Sequence, residues 1–160
     1  MTDEEDKSAN DDVIIDPPSL ALREKAPPSA MNLEAALKRA MAAMEKVGQD
    51  YPQYLARDCA RLREMTERFG LSLDKAAMDD IRFLAHDMKG QGGQFGYPLV
   101  TSICDSLQKY LAPIEAPGPR TAEIIGIHVD ALLLVESTKM KGEGGEEGKL
   151  LLANLEKLTG

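Results

Sequence analysis

From Ala77 to Phe95, the residues that share one side of a helix recur at steps of four, three, four, three and four: Ala77, Ile81, Leu84, Met88, Gln91 and Phe95. That alternation returns a side chain to one seam at every turn, as a helix packed in a bundle requires. A strand, with its period of two, cannot supply it. The seam keeps its phase across Gly90, Gly92 and Gly93, although glycine weakens a helix interior by roughly 0.5–1 kcal/mol relative to alanine. The helix is therefore expected to open near Ser72 or Asp74, run through the glycines and stop at Gly96.

The flanking segments carry the same punctuation. "MNLEAALKRAMAAMEKVG" places Leu33, Ala36, Leu37, Ala40, Met41 and Met44 at helical steps, with Gly48 as a stop. Asp50 then reads as the cap of a second helix, with Gln53 three residues on and Pro52 in the first turn, where a missing N–H is tolerated. Its stripe is Tyr51, Leu55, Cys59, Leu62, Met65 and Phe69, and Gly70 ends it. Pro98 starts a helix bearing Leu99, Ile103, Leu107 and Leu111, followed by the loop "APIEAPGP". Thr121 is the expected cap of the next helix, with Ile124, Ile125, His128, Leu132 and Val135 on one side. "KGEGGEEGK" reads as a flexible break and "LLLANLEKL" as a short terminal helix. No segment alternates with period two, and with 4 % aromatics, eight Met and no Trp the core must be built from Leu, Met, Ala and Ile, which suits helices.

The predicted architecture is all-α: an antiparallel up-and-down four-helix bundle over about 50–140, with an additional N-terminal helix and a short C-terminal helix. The helical domain is taken as 31–160. Residues 1–30 carry eight acidic side chains against three basic ones, a net −5 that leaves only −3 for the rest of the chain. With Pro17, Pro18, Pro27 and Pro28 added, this stretch reads as a disordered acidic tail.

The total charge of −8 argues against nucleic acid as a partner, because phosphate contacts need Lys and Arg. The apolar runs fall far short of a membrane span, and "MTDEEDKSANDD" is the opposite of a positively charged signal-peptide start, so a cytoplasmic location is expected. Cys59 and Cys104 have no disulfide framework or metal-ligand spacing and read as small core residues.

His86 stands apart from the seam. Lys89, Gly90 and Gly93 lie at +3, +4 and +7 on its own face, and Arg82 lies one turn before. A histidine that merely fills core space does not need glycine at both +4 and +7; glycine there clears the surface for the close approach of another protein. An exposed imidazole, ordinarily titrating near 6.5, is largely neutral at pH 7 and can act as a nucleophile. Lys89 is placed to attract the oxygens of an incoming phosphoryl group, a reaction governed by positioning and charge neutralisation. Rival motifs fail on spacing: "GQGGQFG" is neither G-x-G-x-x-G nor a nucleotide-binding P-loop, and no H-E-x-x-H surrounds His86. His128 sits on or beside the seam of its helix and reads as a satisfied core histidine.

"AHDMKGQGGQFGYPLVTSICDSLQKYL" resembles the active-site helix and following helix of histidine phosphotransfer (HPt) domains, with His86, Met88, Lys89, Gly90 and Gly96 in the family's pattern. The version with Phe95, Gly96 and Tyr97 is most similar to the phosphorylatable N-terminal domain of chemotaxis histidine kinases. The resemblance implies a four-helix bundle whose His86 accepts and donates a phosphoryl group. It implies as partners a receiver domain with an acceptor aspartate and a histidine kinase. It further implies a phosphoryl carrier without its own ATP-binding kinase domain, not an enzyme, with no cofactor of its own: magnesium belongs to the receiver. A monomer is expected. In the chemotaxis-kinase type a glutamate on the next helix hydrogen-bonds the imidazole. Gln108 holds that position here, and Asp105, one turn earlier, is the candidate substitute in that supporting shell. The alternative is a non-catalytic helical adaptor that binds and regulates a receiver domain or kinase without carrying phosphate. The intact set of His86, Lys89 and Gly90 favours the carrier.

Overall fold

The computed structural model describes residues 29–160, in five helices: α1 (Ser29–Ser72), α2 (Lys75–Gln94), α3 (Pro98–Leu111), α4 (Pro119–Ser137) and α5 (Gly145–Thr159). No strand occurs among the described residues. The acidic tail expected over 1–30 lies outside them, except that Ser29 and Ala30 open α1. The chain divides into two compact units, Met1–Ala43 and Met44–Gly160. In the first, the described side chains of α1, among them Leu33, Leu37 and Met41, are exposed. The second holds the hydrophobic core.

The additional N-terminal helix is present, but it does not end at Gly48, and Asp50 caps nothing: α1 continues through both, with Pro52 inside it. Proline at this point removes the one N–H that would pair with the Gly48 carbonyl. The remaining backbone pairs and the burial of Tyr51, Leu55, Cys59, Leu62 and Phe69 along the same stripe favour continuation.

Helix α2 starts after Asp74, whose backbone is extended. It runs through the glycine cluster as expected. Its buried face is Met78, Ile81, Leu84, Ala85, Met88 and Gly92. The seam is thus turned from the expected line towards the Met78, Ala85, Gly92 row, and Gln91 is exposed rather than inward. The C-terminus closes at the expected residue. Gly96 adopts φ +85°, a left-handed conformation that costs glycine little. Around it the Tyr97 N–H donates to the Gly92 carbonyl (2.8 Å) and the Phe95 N–H to that of Gln91 (3.2 Å), a Schellman-type ending.

Pro98 opens α3, which buries Leu99, Ile103, Leu107 and Leu111 as its spacing predicts, together with Val100 and Cys104. Helix α4 begins three residues earlier than expected. Gly118 is its cap, and Thr121 sits in the first turn, where its hydroxyl accepts the Gly118 N–H at 3.1 Å. Ile124, Ile125, His128, Leu132 and Val135 are all buried. Helix α5 packs on α3 and α4. Both cysteines are free and buried in the core, and burial pushes the Cys59 thiol up to about 12 and the Cys104 thiol further in the same direction.

Candidate functional site

The glycine cluster serves the junction of α2 and α3. The Thr101 hydroxyl donates to the Lys89 carbonyl (2.9 Å) and accepts the Gly93 N–H (2.8 Å). These are the two backbone groups that an α-helix pairs with each other. A side chain from α3 thereby bridges a turn of α2, and Gly92 makes room for it. A Cβ at Gly92 would lie 2.9 Å from Thr101 Oγ1, 2.9 Å from the Tyr97 carbonyl oxygen and 3.0 Å from the Thr101 nitrogen. Gly92 has no place on the His86 face, and its role is this interhelical approach. Gly90 differs: it is exposed, and a Cβ there would meet nothing within 4 Å. Gly93, also exposed, would bring a Cβ to 3.4 Å from Thr101 Oγ1.

His86 projects from the exposed side of α2, on the fourth turn of the helix. It lines a shallow cavity of about 660 Å³ together with Arg82 and Phe83 of α2 and Gln108 of α3. Asp79 and Asp80 border the cavity on the N-terminal side of α2, and Ala112 on the α3 side. Phe83 is 68 % exposed, an apolar ring three residues before the imidazole. Asp79 and Phe83, at −7 and −3 from His86, share its face by the same helical rule that finds Lys89 and Gly93 ahead of it. Extending the wheel backwards from His86 locates them from sequence. Thr101 carries no such signal, since its role depends on how two helices meet.

Of the α3 side chains expected beside the imidazole, Gln108 borders the same cavity and Asp105 is engaged elsewhere. Gln108 Nε2 is directed at the Arg82 carbonyl, at a long 3.5 Å. Asp105 Oδ1 lies 2.7 Å from Lys89 Nζ, and its Oδ2 lies 2.7 Å from Lys109 Nζ. Lys109 and Lys89 together hold the Asp105 carboxyl below its ordinary value. Asp105 therefore binds the two lysines and not the ring. Among the described residues no side chain hydrogen-bonds the His86 ring. No cluster of three or more His, Cys, Asp or Glu placed to hold a metal ion occurs among them either.

The second histidine is different in kind. His128 is 0 % exposed, with Nδ1 2.8 Å from the Ile124 carbonyl oxygen and Nε2 3.0 Å from Ser106 Oγ. Nδ1 must donate to the carbonyl, and in the neutral ring Nε2 then accepts the serine proton. Burial lowers its pKa, consistent with that state. It is a satisfied core histidine.

The family model of the Hpt domain matches residues 53–137, which span the second half of α1, all of α2 and α3, and α4. No curated protein and no solved structure matches the chain. The matched region contains His86, Lys89 and the groove. Domains of this type serve phosphotransfer in two-component signalling and interact with receiver domains and histidine kinases. No helix among the described residues is long and apolar enough to cross a membrane.

Proposed function

We propose a phosphoryl-carrier role for this chain, which belongs to the Hpt domain family, with His86 as the residue that exchanges the phosphoryl group with receiver-domain aspartates. The observation that carries the reading is the exposed imidazole in mid-helix, lining a shallow surface cavity, with Lys89 one turn away. In the forward step the unprotonated ring nitrogen attacks phosphorus in line. An N–P bond forms as the acyl-phosphate O–P bond breaks, and the aspartate leaves as carboxylate. The reverse step returns the group to another receiver. Lys89 offsets the charge of the phosphoryl oxygens, the open surface over Gly90 admits the receiver, and Phe83 supplies an apolar contact beside the reacting atoms. Magnesium, which shields the acyl phosphate, is assigned to the receiver. A histidine kinase feeding the relay and a cytoplasmic location complete the reading.

The test is incubation with a phosphorylated receiver domain. Label that is acid-labile and base-stable, as a phosphoramidate bond requires, is expected on the chain and absent from His86→Gln. Label retained by His86→Gln sinks the assignment.

A further inference from the structure

We propose that Asp105 is a positioning residue for phosphoryl exchange: it holds Lys89 in an ion pair that a phosphoryl group on His86 must displace, and so sets how tightly the carrier keeps that group. The inference rests on the carrier reading of His86. Its geometry is a carboxylate divided between two cations, with Lys89 Nζ 2.7 Å from Oδ1 and Lys109 Nζ 2.7 Å from Oδ2. Lys89 comes from α2, three residues after His86, while Asp105 and Lys109 stand one turn apart on α3.

Four properties suit this triad to exchange rather than to permanent structure. The Lys89 and Asp105 side chains are 37 % and 31 % exposed, so their pair lies in the weak, solvent-screened regime and opens at small cost. A phosphoryl group brings about two negative charges against the single charge of Asp105, so transfer of the ammonium towards it is electrostatically favourable. Asp105 is not abandoned when Lys89 leaves, because Lys109 remains on its other oxygen. The Lys89 carbonyl is held by Thr101, so the backbone stays in place and the exchange is a side-chain rotation. Asp105 takes neither proton nor phosphoryl group. The bond changes stay at His86, where the N–P bond forms as the donor's bond to phosphorus breaks.

The full chain is phosphorylated with phosphoramidate, ammonia being the leaving group, and phosphohistidine is followed by ³¹P NMR. Wild type is compared with Asp105→Asn, Lys89→Ala, the double variant and Lys109→Ala. Releasing Lys89 should raise the equilibrium phosphohistidine-to-histidine ratio of Asp105→Asn by about two- to five-fold, the scale of one exposed ion pair. Asp105→Glu should restore the wild-type ratio. In the Lys89→Ala background the Asp105 substitution should change nothing. Lys109→Ala should lower the ratio, since Asp105 then depends on Lys89 alone. An Asp105→Asn effect that persists without Lys89, or no effect at all, overturns the proposal. So does Lys89→Ala behaving as wild type, while His86 stands as acceptor. Label surviving His86→Gln overturns the carrier reading and this proposal with it.

Discussion

Gly92→Ala should destabilise the bundle, although alanine is the better helix former. In a helix interior the exchange ordinarily gains about 1 kcal/mol. Here the new methyl carbon would stand 2.9 Å from Thr101 Oγ1, 2.9 Å from the Tyr97 carbonyl oxygen and 3.0 Å from the Thr101 nitrogen. Two of those three atoms are backbone, so no rotamer change relieves them and α3 must move off α2. Overpacking of this kind costs about 1–3 kcal/mol, and rigid neighbours put it at the upper end, for a net loss of about 1–2 kcal/mol. Gly90→Ala, two residues away, meets nothing within 4 Å and should gain about 0.5–1 kcal/mol. For a domain of this size each kcal/mol moves Tm by about 3–5 °C. Thermal melts followed by circular dichroism should therefore show Gly92→Ala several degrees below wild type and Gly90→Ala a few degrees above. Gly92→Ala melting at or above wild type refutes the claim that this glycine exists for the approach of α3.

Gly90→Leu, on the same open surface, should leave the helix content intact and slow exchange with a receiver domain at least several-fold; unchanged transfer removes the close-approach account of that residue. His128 gives a pH signature. Burial holds its folded pKa below the ordinary value near 6.5, so below pH 6.5 the unfolded chain binds more protons than the folded one. Its contribution to stability is complete above pH 6.5 and declines as pH falls, at up to about 1.4 kcal/mol per pH unit. Urea midpoints between pH 5 and 7.5 should show that decline in wild type and a flatter profile in His128→Gln. The thiols of Cys59, pushed up to about 12, and of Cys104 should resist iodoacetamide at pH 8 in native buffer and react fully in denaturant. Fast native alkylation contradicts their burial.

Where sequence and structure agree, the signal was local and repeated. The unbroken helix through the glycine cluster, the stop at Gly96 and the restart at Pro98 each need only their neighbours, and each is present, although the buried face is turned so that Gln91 points outward. Gly48 and Pro52 are local break signals that do not act as breaks, because neither residue alone ends a helix and the buried stripe of Tyr51 to Phe69 carries α1 onward. The cap of α4 lies three residues before Thr121 because a threonine hydroxyl can serve the helix start from the first turn as well as from the cap itself. At the site, the exposure of His86 followed from its distance from the seam. The partners of Asp105 did not, because its pairing with Lys89 across the two helices depends on the relative placement of α2 and α3.

The bridge that Thr101 makes to Lys89 and Gly93 has a consequence for hydrogen exchange. The last turn of a helix ordinarily frays, and its amides exchange quickly with solvent. The Gly93 amide lies in that last turn, yet it is paired with the Thr101 hydroxyl of α3 and is released only when that side chain turns away or α3 withdraws. Its protection should exceed that of an ordinary helix end. His86, two turns before, then stands on a segment already anchored at both ends, so an arriving partner orders no backbone and spends its contact energy on docking alone.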